Sequence, residues 1–162
     1  MIAEVEKKII QLYTRWAGHE PERIHAIAAS GSPRKYFRLG SGEQTVIGAY
    51  NPDLSENDAF IYLTKHFTQQ GLPVPEMLAD ERETGSYLVS DLGNNILFDL
   101  LSFRPRHEEV TDELYDHLSA SVRMLPHFQV KGRQGLDWSV CYPRDRFDLQ
   151  SMMWDLNYFK YY

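Results

Sequence analysis

The chain has 162 residues, of which 43% are apolar and 13% aromatic, and a formal net charge of −6. That size fits one domain or a lobe of a larger one, able to bury roughly 70% of the surface its unfolded form exposes. The composition excludes a disordered chain and the acidic balance argues against a non-specific nucleic-acid binder, while the single cysteine, Cys141, excludes an internal disulfide or a cysteine-built zinc site.

The opening stretch MIAEVEKKIIQLY carries acids early and has no unbroken apolar run, so it does not read as a signal peptide. No stretch approaches the length of a membrane span. A cytoplasmic protein with neither membrane nor nucleic-acid partners is expected. Val5, Ile9, Leu12, Tyr13 and Trp16 recur at helical spacing and predict an amphipathic helix ending near Gly18. Three strands are expected next, over Arg23–Ser30, Arg34–Leu39 and Thr45–Tyr50, with SGEQ as a turn. In the second, alternation puts Tyr36 and Arg38 on one face and Phe37 and Leu39 on the other.

SENDAFIYLTKHFTQQG predicts a helix capped by Ser55, with Asp58 completing the capping box and Phe60, Leu63 and Phe67 as its buried stripe. Gly71 ends it, and Pro73 and Pro75 extend the path that follows. EMLAD and SYLVSD read as two more strands around the turn ERETG. Beyond Asp91 the pattern turns helical. ILFDLLS is a short helix, and Leu114, Leu118, Val122 and Leu125 mark a long one that Pro126 closes. QVKGRQG reads as a loop, and RFDLQSMMWDLNYFKYY as a final aromatic-rich helix. Trp138, Trp154, Tyr158 and Phe159 are expected in a core or an interface. The fold class is α+β: a five-stranded antiparallel sheet over residues 1–90, a linker at 91–95, and a helical region over 96–162.

Two stretches could carry chemistry. In ASGSPRKY, Gly31 allows close approach of backbone to an anion, Ser30 and Ser32 add hydroxyl donors, and Arg34 adds charge. The same residues also make an ordinary hairpin turn. Arg34, Lys35 and Arg38 form a local basic cluster within an acidic protein. In YLVSDLGNN, a strand ends in a polar turn between Leu88 and Leu92, an arrangement able to sandwich a flat base or simply to cap a turn. Neither the Walker pattern nor the dinucleotide fingerprint is present. His117 and His127 lack a third ligand, and Cys141 lacks an activating partner.

S-x-R-x-Y-F-R-L at Ser32–Leu39, VIGAYNPD at Val46–Asp53, AFIYLTKHF…GLPVPEMLA at Ala59–Ala79 and YLVSDLGNNILFDLL at Tyr87–Leu101 occur in order. Together they resemble the N-terminal part of the aminoglycoside phosphotransferase superfamily. Within it they are similar to the sugar kinases that phosphorylate N-acetylhexosamines or N-acetylmuramate at the anomeric hydroxyl. The resemblance implies a protein-kinase-like N-lobe with its C-type helix, followed by the first helices of a helical C-lobe. It also implies ATP and Mg2+ as cofactors and a small amino sugar as phosphate acceptor. Ser30, Gly31, Ser32 and Arg34 would cover the nucleotide phosphates, the backbone of Ser90, Asp91 and Leu92 would read adenine, and Glu56 would be the helix's structural acid.

Two parts of that pattern are absent. The third strand, TVIGAY, has no lysine; Gly48 and Ala49 stand in its place, and Arg34 or Arg38 is the substitute cation. The catalytic loop, a His-x-Asp with an asparagine five residues later, occurs nowhere: two residues after each histidine stand Pro21, Ile27, Thr68, Glu109, Ser119 and Gln129. Asp148 is followed by Leu-Gln-Ser, but Arg146 and Met153 occupy the histidine and asparagine positions, so Asp148 is read as structural. No residue is assigned to catalysis or to metal. The expectation is a phosphotransferase portion that stops short of its catalytic loop and shows little turnover alone, with Met152–Tyr162 covered by missing helices or by self-association. The alternative is a complete, non-catalytic nucleotide-binding or protein-interaction module, and a weaker one is a plain α+β scaffold.

Overall fold

In the computed structural model, which describes residues 2–28, 33–102 and 110–161, helix α1 (Ile2–Ala17) lies across one face of a sheet. The strands are β1 (Arg23–Ile27), β2 (Lys35–Ser41), β3 (Gln44–Tyr50), β4 (Met77–Glu81) and β5 (Ser86–Ser90). All pair antiparallel in the order β1-β2-β3-β5-β4, and the short turns after β2 and β4 dictate this for β2–β3 and β4–β5. The first strand ends at Ile27, short of the expected Ser30.

Register sorts the side chains. Phe37, Gly48 and Leu88 stand in one row across β2, β3 and β5, beside Leu39 and Val46. This face packs against Val5, Ile9, Leu12 and Tyr13 of α1. Gly48 is what lets the helix approach: a Cβ there would lie 2.4 Å from Ile9 Cγ2 and 2.9 Å from Leu39 Cδ1. Burying each of these aliphatic side chains contributes about 1.5–3 kcal/mol. The opposite face carries Tyr36, Ala49 and Tyr87 in one row and Arg38, Ile47 and Val89 in the next.

Helix α2 (Leu54–Gln69) covers half of that second face through Phe60, whose ring lies 5.0 Å from that of Tyr87. Its cap is Asp53 rather than Ser55: the Asp53 carboxylate accepts the Glu56 N–H at 3.1 Å, and Asn51 Oδ1 accepts the Asp53 N–H. The Asn-Pro-Asp turn supplies this geometry two residues before the expected start. Asp58 instead pairs with Arg82, in the short 3₁₀ turn Arg82–Thr84. The expected stripe of Phe60, Leu63 and Phe67 is only half-buried. The buried positions of α2 are Asn57, Ala59, Thr64 and His66, because this helix is enclosed on two sides.

The second side is the helical region. Helices α3 (Leu97–Ser102), α4 (Asp112–Pro126) and α5 (Leu149–Tyr161) follow the sheet. Helix α4 ends at Pro126, as expected, but the chain does not leave the helical path there. The chain widens into a π turn over His127–Lys131, where the Gly132 N–H reaches the His127 carbonyl at 3.0 Å. Pro126 lacks an N–H, so the helix ladder loses one bond there. Part of the expected QVKGRQG loop is helical. This turn docks on α2: His66 Nε2 lies 2.7 Å from the Gly132 carbonyl, and the rings of Phe67 and Phe128 meet edge-on at 5.3 Å. Further along, the Asp137 N–H donates to the Tyr62 hydroxyl, and the Tyr142 hydroxyl donates to Asp53, each at 2.7 Å.

Trp138, Trp154, Tyr158 and Phe159, expected in a core or an interface, are exposed, as are Val122 and Leu125. Asp148 accepts the Ser151 N–H and pairs with Arg144, which orders the start of α5. Among the described residues, no helix is long and apolar enough to cross a membrane.

Candidate functional site

Where α2 leaves the second sheet face uncovered, a cleft of about 450 Å³ opens. Ile47 and Val89 form its floor, Ile27 and Phe60 its sides, and Leu92 and Ile96 its outer rim. The floor follows from alternation, since β3 and β5 place one apolar side chain in two on this face. Such a slot, apolar with polar groups at its ends, suits a flat heteroaromatic ring.

A charged pair lies just beyond the cleft's lining, against Phe60 and Tyr36. The Arg34 guanidinium pairs with Glu56 at 3.0 Å and lies over the Phe60 ring at 5.2 Å. Asn51 Nδ2 donates to the other Glu56 oxygen at 2.7 Å, so Glu56 is oriented from both sides. Burial works against the Arg34 charge, but the Tyr36 hydroxyl bonded to it and the neighbouring Tyr87 and Glu56 outweigh burial and raise its pKa. Burial likewise raises the Tyr87 phenol, opposed by Arg34, so it remains protonated at neutral pH.

The outer end is the connection after β5. The carboxylate of Asp91 lies in the fork of Arg38, with Nε–Oδ2 at 2.5 Å and Nη2–Oδ1 at 3.0 Å. Burial pushes this carboxyl up. The bonds from Arg38, from the Gly93 N–H and from the Thr45 hydroxyl more than offset that, and hold it below the usual aspartate range.

Of the residues singled out in the sequence, Ser30, Gly31 and Ser32 lie outside the described residues. Arg34 and Glu56, assigned separate roles, form one pair. Ser90 is largely engaged elsewhere: its N–H donates to the Glu76 carbonyl and its hydroxyl accepts the Glu76 N–H, both at 2.9 Å. The Leu92 side chain is 73% exposed at the rim. Of the two places where a strand cation was sought, Gly48 faces α1 and Ala49 is fully buried on the cleft side. Of the two substitutes, Arg38 is bound to Asp91 and Arg34 to Glu56. Sequence reading missed the floor residues Ile47 and Val89, although period-two alternation carried the signal. It also missed the pairing of Arg38 with Asp91, which are 53 residues apart. Among the described residues, no group of three His, Cys, Asp or Glu side chains could hold a metal ion.

No family model matches the chain. The chain is similar to an N-acetylmuramate/N-acetylglucosamine kinase of Pseudomonas aeruginosa, with 28% identity over 102 residues. The similarity covers 62% of this chain and 29% of that kinase, so the chain spans less than a third of the relative it matches. The likeness supports a kinase-related chain. It fixes neither the superfamily nor the branch.

Proposed function

We propose that this chain is the nucleotide-binding portion of an ATP-dependent phosphotransferase acting on an amino sugar, with the sheet, α1 and α2 forming a protein-kinase-like N-lobe. The observation that carries this reading is the cleft itself: an apolar slot between sheet and connection, with the Arg34–Glu56 pair just outside its lining, against Phe60 and Tyr36. The adenine ring lies between Ile47, Val89 and Leu92, against the backbone that follows β5. The phosphates run toward Arg34, which Glu56 orients from α2 as a lysine on the third strand is oriented in kinases. The kinase relative supports ATP as the nucleotide and a sugar as acceptor.

Mg2+ belongs to the same chemistry, where it neutralises phosphate charge. The described residues offer no donor set for it, so no step through the metal is assigned to this chain. Nor is turnover, since the sequence holds no His-x-Asp. That absence favours nucleotide binding without catalysis as what residues 1–162 do alone.

Isothermal titration with ATP, in magnesium buffer, tests the reading. ATP binds, and Arg34→Gln weakens it by roughly tenfold, the loss expected for one charge-assisted phosphate contact. Adenosine binds more weakly than ATP and is insensitive to that substitution. Absence of any ATP heat or thermal shift at millimolar nucleotide overturns the proposal.

A further inference from the structure

We propose that Arg38 is a positioning residue that clamps the Asp91–Asn94 connection to the sheet and thereby fixes the outer wall of the cleft; this rests on the nucleotide reading above. The connection has no strand ladder of its own after Ser90. Its shape is set by side chains. Arg38 reaches it from β2, where it stands opposite Ile47 on the cleft floor. Besides the fork on Asp91, its Nη1 donates to Asn94 Oδ1 at 2.5 Å, and its Nη2 approaches the Gly93 carbonyl at 3.3 Å. One guanidinium thus holds three residues of the connection.

Asp91 completes the clamp. Its Oδ1 also accepts the Gly93 N–H at 2.9 Å, which closes a tight turn. Gly93 has φ +89°, a conformation that other residues enter at a cost, so the turn is built for glycine. The Asp91 side chain is only 6% exposed, and its oxygens are occupied by Arg38, Gly93 and Thr45. The carboxylate therefore holds the wall in place and does not face a ligand. Arg38 is thus committed to the connection, its nitrogens donating to Asp91, Gly93 and Asn94.

The geometry demands arginine. A lysine keeps the charge but presents a single point and cannot span Asp91 and Asn94 together. Once released, the connection samples other conformations, and apparent affinity falls by the fraction that remains competent. If one conformer in ten keeps the wall, the ATP dissociation constant rises roughly tenfold.

The test uses the full chain with Arg38→Lys and Arg38→Gln, reading amide hydrogen exchange and ATP titration together. Expected is a roughly tenfold faster exchange of the Gly93 amide, whose N–H is held by Asp91, in both variants, with α1 and core strand amides still protected, and ATP affinity down about tenfold. Unchanged exchange at the Gly93 amide overturns the clamp. Faster exchange with ATP affinity held within about twofold overturns the positioning role, leaving a structural contact only. Should the Arg38 variants lose core protection, Asn94→Ala decides the matter: it removes one acceptor, keeps the Asp91 pair, and is expected to speed local exchange by about threefold. Wild-type protein that binds no ATP overturns the nucleotide reading, and the exchange data still decide whether the clamp exists.

Discussion

Ile9 on α1 and Val122 on α4 both stand on apolar helical faces, yet Ile9 is fully buried and Val122 is 63% exposed. The contrast extends to their regions. Among the described residues, Leu114 is the one buried apolar side chain after Val89. Of the large exposed apolar residues, all but Trp16 and Ile27 lie at Leu92 or later. The sheet region closes its own core, with α1 on one face and α2 on part of the other. The helical region has the same amphipathic pattern, and among the described residues its bonds and ring contacts to α2 come from its π turn and the segment beyond it. A helical period shows which face is apolar and says nothing about what covers it.

The largest expected effect breaks this comparison at Ile9. Ile9→Ala removes a side chain wedged over Gly48, where the backbones are too close for the gap to be refilled by a neighbour's shift. It should cost about 2–5 kcal/mol, read as a melting temperature lower by roughly 5–15 °C. A cost below about 1 kcal/mol would mean that α1 is not packed on the sheet as described.

A smaller effect concerns the junction between the regions and appears only in acid. The Asp91 carboxyl lies below its ordinary value of 3.8 in the folded protein. The folded state therefore binds that proton less readily than the unfolded chain. Its contribution is fully present above the unfolded value and is lost as pH falls through the lower, folded one. In thermal melts, wild type should lose stability more steeply than Asp91→Asn from about pH 4 downward, and the two slopes should run parallel between pH 5 and 7. Parallel slopes throughout would show that Asp91 is not held by Arg38.

The parts of the fold that were legible in the sequence depend on local periods. Alternation in Tyr36–Leu39 placed the correct pairs on the two faces of β2, and the short links after Leu39 and Glu81 implied antiparallel partners. Where the structure departs, a longer-range or finer term decided. Asp53 took the cap from Ser55 because Asn51 and Pro52 shape the preceding turn. His66 is buried because a carbonyl 66 residues away meets it, which no window of sequence contains. In the site, Arg34 and Glu56 were each visible as charged residues near a turn and a helix start. Their pairing, like that of Arg38 with Asp91, required the sheet register.

The smallest expected effect is the most informative about the helical region. Phe159 is 86% exposed on α5, and Val122 is also exposed on α4. If those faces are as open as they are here, serine at either position removes no packed contact, and stability should change by less than about 0.5 kcal/mol. The serine variants should also bind less of an environment-sensitive apolar dye, since each removes part of a patch that water now covers. A loss above about 1 kcal/mol at Phe159 would mean the opposite. The residue would then be covered in solution, and sedimentation at two protein concentrations would separate the two sources of cover: a second copy dissociates on dilution, whereas contacts within one chain do not. Measured beside Ile9→Ala, the pair gives the difference between a face that has found its partner and one that has not.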